Sequence, residues 1–126
     1  MTVFKTLIYV STILIFMMVL PAFADKSSVE INAPEEVKKG ETITIILKVT
    51  HDGNNFLHYT DWVYIKAGDR EIARWDYSMF DTPENEIFTR EVEYTVNEPV
   101  TIEAEAHCNI HGSPGKKTLN ISVKKN

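Results

Sequence analysis

The sequence predicts an all-β protein, an immunoglobulin-like β-sandwich of about seven strands that follows an N-terminal signal peptide. Three observations support this prediction. Apolar and polar residues alternate with a period of two in several short segments. Turn residues recur about every 8 to 12 positions. No segment after residue 24 has the period of an amphipathic helix.

The first 24 residues have the three parts of a secretory signal. Lys5 makes the start basic, residues 6–20 carry no charge, and Ala22 and Ala24 form an Ala-x-Ala cleavage site. We therefore predict cleavage after Ala24, a periplasmic or secreted location, and one domain over residues 25–126. If the segment stays uncleaved it would be a membrane anchor, which is the only membrane contact we expect.

The strands are predicted from the alternation and from the turns that interrupt it, such as Lys39-Gly40 and Asn97-Glu98-Pro99. The alternation also leads us to expect Trp62 in the core. The predicted strands cover residues 29–32, 42–50, 58–67, 70–77, 86–96, 100–108 and 117–124.

Composition excludes several classes of function. The net charge of −5 argues against nucleic acid as a partner. The chain has no Gly-rich phosphate loop and no HExxH motif, which sets aside nucleotide-binding folds and zincin proteases. Cys108 is the single cysteine, so an internal disulfide and a four-cysteine metal site are both ruled out.

The histidines and the cysteine lie at the ends of predicted strands. His51 and His58 flank one loop, and Cys108 and His111 share a Cys-x-x-His step in another. Alternation places Cys108 on the apolar face of its strand and His107 on the opposite face, so we predict Cys108 and His111, and not His107, as metal ligands. Thiolate and imidazole together suit iron, copper or zinc. The alternative is that Cys108 is a small buried apolar residue without a ligand role.

Two segments resemble the signatures of superoxide reductases, the desulfoferrodoxin and neelaredoxin family. Residues 108–112, Cys-Asn-Ile-His-Gly, resemble the family's CNxHG motif, and residues 58–63, His-Tyr-Thr-Asp-Trp-Val, resemble its H-[YH]-x-x-W-[IV] segment. His51 stands where the family has the histidine of a His-Pro pair, and residues 33–41 resemble the turn after its first strand. The resemblance extends over most of residues 25–124 and also implies an immunoglobulin-like sandwich.

The resemblance implies a mononuclear non-haem iron protein that reduces superoxide to hydrogen peroxide. It implies that His51, His58 and His111 are imidazole ligands, that Cys108 is the axial thiolate, and that one coordination position is open. Lys26 would attract the superoxide anion and assist proton delivery. The four-cysteine domain of two-iron members is absent, so we expect one iron (Fe2+/Fe3+) per chain, together with an electron-donor protein that the sequence does not name.

The chain departs from the family pattern at two places. Ser27 occupies the position of the family's first ligand histidine, and His51-Asp52 replaces His-Pro with one extra residue before His58. His107, or the α-amino group that cleavage would create, could complete the ligand set.

Two other classes of function remain open at this point. The first is an exported, blue-copper-like electron carrier, although no methionine follows His111 as that class usually requires. The second is a non-catalytic carrier or binding domain with a vestigial metal site, which the replacement at Ser27 keeps open.

Overall fold

The computed structural model of the chain describes residues 26–125. These residues contain no helix that is long and apolar enough to cross a membrane. The predicted signal peptide and its cleavage after Ala24 lie outside the described residues. The strands are β1 (Ser28–Asn32), β2 (Glu36–Val37), β3 (Glu41–Thr50), β4 (Thr60–Ala67), β5 (Arg70–Asp76), β6 (Ile87–Val96), β7 (Val100–Cys108) and β8 (Lys117–Val123).

The strands form two sheets. β1, β3 and β6 make a three-stranded antiparallel sheet with β3 in the centre. The other five form a sheet in the order β2-β8-β7-β4-β5, in which only the β2–β8 pair is parallel. The predicted all-β sandwich is thus confirmed. The described residues add one strand to the expected seven, the two-residue β2, which is too short to show a period.

The core lies between the sheets and is built from the inward faces of alternating strands. Odd-numbered residues of β3 and even-numbered residues of β7 supply most of it, as the apolar alternation predicts. Fully buried members are Ile45, Leu47, Val49, Val63, Ile65, Val96, Ile102, Ala104, Ala106 and Ile121.

A β-bulge at Asp61 interrupts the alternation of inward and outward residues along β4. His107 and Cys108 are adjacent on β7, yet their partners on β4, Trp62 and Thr60, are two residues apart. The extra residue turns Thr60 inward beside Cys108 and leaves Trp62 on the outer face, stacked on His107. The expectation that Trp62 packs in the core was wrong, because the inward row of β4 is Val63, Ile65 and Ala67, and Trp62 alternates with that row.

Candidate metal centre

Two residues with candidate metal-binding atoms lie at one end of the core. His51 follows Val49 on the inward row of β3, and Cys108 follows Ala106 on the inward row of β7; both side chains are completely buried. Because β3 and β7 belong to different sheets, the two donors face each other across the interior.

The loop between β3 and β4 turns His58 back towards His51. Asn55 closes this loop, since its Oδ1 accepts hydrogen bonds from the backbone N–H groups of Leu57 and His58, both at 3.0 Å. The Asn55 N–H in turn donates to the His58 carbonyl at 2.9 Å. Gly53 allows the sharp reversal because its φ is 95°, in the left-handed region. The imidazole of His58 is half-buried.

A tight turn after β7 brings His111 beside Cys108. Cys108 and Gly112 exchange two backbone hydrogen bonds of 2.9 Å, and Gly112 has a φ of 78°. Within this turn the Cys108 sulfur accepts the N–H groups of Ile110 at 3.5 Å and His111 at 3.4 Å. These two N–H groups fix the position of the sulfur within the turn.

Asn109 joins the two loops that carry the donors. Its backbone N–H donates to the Tyr59 carbonyl at 3.0 Å, and its Oδ1 accepts the Tyr59 N–H at 2.9 Å. Its Nδ2 donates to the Leu57 carbonyl at 3.2 Å. The relative position of His58 and His111 is therefore set by a side chain that lies between Cys108 and His111 in the sequence.

The four predicted ligands converge. His51 Nε2 and His58 Nε2 are 3.1 Å apart, His58 Nε2 and His111 Nδ1 are 3.0 Å apart, and His111 Nδ1 lies 3.9 Å from Cys108 Sγ. Donor atoms of His51, His58 and Cys108 all lie within 4.8 Å of one another. That these four side chains bind a metal stays a prediction.

The spacing of the nitrogens fits a metal ion with ligands at right angles. Two nitrogens about 2.1 Å from one ion are about 3.0 Å apart at a right angle, but about 3.4 Å apart at a tetrahedral angle. The observed separations of 3.0 and 3.1 Å match the right angle. Imidazole and thiolate are also donors that iron accepts. The same separations are ordinary for a hydrogen bond between two imidazoles, so the donor types, and not the spacing, are what fit iron.

His107 does not join this cluster. Its Nδ1 lies 2.6 Å from Asp61 Oδ1, and its ring stacks on Trp62 with centroids 4.8 Å apart and planes inclined by 9°. It faces the outer surface of the five-stranded sheet, on the side opposite Cys108, as the alternation of β7 predicts.

Ser27 lies beside the cluster in space, and Lys26 precedes it in the chain. Ser27 is completely buried, and its Oγ is 2.8 Å from Oγ1 of Thr60, the residue that pairs with Cys108. A hydroxyl thus stands beside the donors where the family resemblance implies an imidazole. Lys26 directly precedes this anchored serine and is half-buried. Its predicted catalytic role stays a prediction.

Asn54 and Asn109 are site residues that sequence reasoning missed. Asn54 Oδ1 lies 2.8 Å from His51 Nδ1, and Asn54 Nδ2 donates to the Asn85 carbonyl at 2.7 Å. Asn109 belongs to the Cys-Asn-Ile-His-Gly segment quoted above, so the motif was a signal for it. For Asn54 the only signal was the loop composition, which predicts a turn but not the partners of its side chain.

Two charged or polar pairs away from the donors have displaced pKa values. The Arg90 guanidinium binds Glu84 through two hydrogen bonds of 2.8 and 2.9 Å and lowers the pKa of Glu84 to about 2. On the outer sheet face, burial and then the hydrogen bond to Glu103 raise the pKa of Tyr64.

The fold and the cluster together define a class of protein. It is a β-sandwich with histidine nitrogens and a cysteine sulfur between its sheets, which are donor atoms of the kind that bind transition metals. A family model described as Desulfoferrodoxin matches residues 22–114, and the chain belongs to this family. No curated protein sequence matches significantly.

Solved structures of similar fold agree with this assignment. A Thermotoga maritima protein, provisionally described as a superoxide reductase, is 26% identical with a TM-score of 0.61, and the match covers 77% of this chain and 86% of that one. A superoxide reductase (neelaredoxin) from Ignicoccus hospitalis is 20% identical with a TM-score of 0.63, covering 79% and 82%. The chain is therefore superoxide-reductase-like and belongs to an iron-binding family.

The fold by itself does not specify a function. A PKD domain of an M14-like peptidase from a Thermoplasmatales archaeon has a TM-score of 0.57 at 17% identity, and the match covers 81% of this chain and 99% of that domain. The donor cluster, rather than the sandwich, must therefore carry any functional argument.

Proposed function

We propose that the chain is an exported superoxide reductase that holds one iron through His51, His58, His111 and Cys108. The observation that carries this proposal is the convergence of three ring nitrogens and one sulfur at the end of the core. Iron held by this donor set would supply one electron in passing from the ferrous to the ferric state, and superoxide would take up that electron with two protons to become hydrogen peroxide.

The burial of the donors supports reaction with a small anion. His51 and Cys108 are enclosed by the core, whereas His58 is half-buried and His111 is exposed. The cluster is therefore closed towards the protein interior and accessible from the loop side. The N–H groups of Ile110 and His111 orient the Cys108 sulfur from this same turn.

Lys26 is the proposed catalytic cation. The full chain has a net charge of −5, so its overall field repels superoxide. At physiological salt the Debye length is about 8 Å, and only a cation close to the cluster can offset that repulsion. The position of Ser27, the neighbour of Lys26 in the chain, supports this role, because the Ser27 hydroxyl contacts Thr60, which pairs with Cys108.

The reaction needs a second protein that donates electrons. Each turnover leaves one oxidised iron, so an electron donor must reduce it, and we propose an as yet unidentified donor protein.

The signal-like residues 1–24 support a periplasmic or secreted protein that begins at Asp25 after cleavage.

The test begins with metal analysis and electron paramagnetic resonance of the purified mature chain. The ferrous protein is then mixed with superoxide by stopped flow or pulse radiolysis. We expect rapid one-electron oxidation with one hydrogen peroxide formed per iron oxidised. Copper in the isolated protein would favour an electron carrier instead. A fully iron-loaded, reduced protein that does not react would favour a binding or carrier domain.

A further inference from the structure

Asn54 contacts three separate parts of the site end. Its Oδ1 lies 2.8 Å from the Nδ1 of His51 and accepts the backbone N–H of Thr60, also at 2.8 Å. Its Nδ2 donates to the carbonyl of Asn85 at 2.7 Å. One side chain thus connects the end of β3, the start of β4 and the segment before β6.

These contacts determine which His51 nitrogen carries the proton. The atom of Asn54 that faces Thr60 must be the oxygen, because a backbone N–H can only donate; the nitrogen of the same amide is accounted for by Asn85. The oxygen that faces His51 Nδ1 can therefore only accept, so Nδ1 bears the hydrogen. The lone pair of the neutral ring is then on Nε2, the atom 3.1 Å from His58 Nε2.

We propose that Asn54 is a positioning residue that locks His51 in its Nδ1–H tautomer and so presents Nε2 to the metal. The tautomer assignment concerns the metal-free chain alone, while its consequence for metal binding rests on the proposed function. A ligating histidine generally donates its other ring N–H to such an acceptor, which fixes the ring and makes the ligating nitrogen more basic.

Burial makes the role of Asn54 specific. His51 is completely buried, so the loss of Asn54 would remove a hydrogen-bond acceptor from its ring inside the protein. The ring would then gain by rotating or by moving the proton to Nε2, and either change removes the lone pair from the cluster.

Three variants separate tautomer control from loop anchoring. Asn54→Asp keeps an acceptor for His51 and Thr60 but loses the donor to Asn85. Asn54→Leu keeps a similar volume and loses both functions. Asn120→Leu makes the same chemical change at an exposed asparagine on β8, whose Oδ1 accepts from Thr101, and serves as the control.

The first measurement is made on the metal-free proteins. Nitrogen-15 chemical shifts of the His51 ring should show a single Nδ1–H tautomer in the wild type, in Asn54→Asp and in Asn120→Leu. In Asn54→Leu we expect a mixture of tautomers or the Nε2–H form. An unchanged Nδ1–H tautomer in Asn54→Leu would overturn the proposal.

The second measurement is the affinity for ferrous ion, by anaerobic competition with a chelator. We expect Asn54→Leu to lose about 10- to 100-fold and Asn54→Asp to stay close to wild type. Equal losses in both Asn54 variants would mean that the anchor to Asn85 matters and the tautomer does not. If no variant binds iron while the tautomers behave as expected, the proposed function fails and the tautomer assignment stands. If each of these proteins folds by circular dichroism, every outcome is interpretable.

Discussion

At one end of the five-stranded sheet, the inner face borders the histidine–cysteine cluster, whereas the histidine on the outer face takes no part in it. On the inner face, Cys108 and its partner Thr60 stand beside the converging donor atoms. On the outer face, one residue away in sequence, His107 is occupied by Asp61 and by the ring of Trp62. The comparison teaches that the availability of a histidine for metal depends on which face its strand presents.

The difference also lies in how the polar atoms are satisfied. The outer pair is complete in itself, since Asp61 accepts the His107 hydrogen bond at 2.6 Å. On the inner face, the ring nitrogens of His51, His58 and His111 point at one another, an arrangement in which lone pairs repel unless a proton or a cation lies between them. The inner cluster therefore has a reason to bind a cation, and the outer pair does not.

The largest expected effect comes from replacing the sulfur. Cys108→Ser should abolish the charge-transfer colour of the ferric protein, because that colour requires the thiolate. Absorption spectra after oxidation of the iron-loaded variant check this. The matched change on the outer face, His107→Ala, should leave the colour intact. A His107 variant that lost its colour would reverse the assignment of the two faces.

A second pair of variants compares imidazoles. His58→Ala should weaken ferrous iron binding by at least about 10- to 100-fold, since even a supporting partner of a ligand is worth that much. His107→Ala should leave iron affinity unchanged but lower the free energy of unfolding by about 1–2 kcal/mol through the lost stacking and hydrogen bond. Chelator competition and urea unfolding give the two quantities separately.

Replacing Lys26 tests whether its positive charge attracts superoxide to the cluster. Lys26→Ala should slow the reaction with superoxide by about tenfold and weaken its dependence on salt, while iron content stays the same. Lys38→Ala is the matched control, because it removes the same charge before the opposite end of β3. Equal rates for the two variants in stopped-flow mixing would show that only net charge matters.

The smallest effect concerns the loop that precedes β6. Arg90 lowers the pKa of Glu84 to about 2 from an ordinary 4.5, so their pairing stabilises the fold above pH 4.5 and is lost as the pH falls towards 2. Glu84 is 53% exposed, so screening limits the contribution to about 1 kcal/mol or less. Glu84→Gln should lower the free energy of unfolding at pH 7, and the difference from wild type should vanish near pH 2. A difference that persisted in acid would point to packing.

The sequence predicts most of the fold because the three longest strands, β3, β6 and β7, have a readable period and turn residues limit the others. The row from Ile43 to Val49 places His51 inward, and the row from Ile102 to Ala106 does the same for Cys108. β2 has two residues and therefore no period.

The remaining features depend on backbone path. The bulge at Asp61 reversed the face of Thr60 relative to Trp62, and a bulge leaves no mark in a pattern of apolar residues. The partners of Asn54 lie on three elements, so only the folded loops reveal them. The residue types of the cluster were predictable from their chemistry, but the contacts that orient them were not.

The position of the cluster between the sheets has a mechanical consequence. An ion held by His51 and Cys108 would act as a cross-link between β3 and β7, much as a disulfide would in a chain whose single cysteine cannot form one within the molecule. Such a tether forms only after the sheets have packed, because the unfolded chain does not bring its two ends together. An ion held in this way would oppose separation of the two sheets, and its removal would lower the free energy of unfolding of the folded chain.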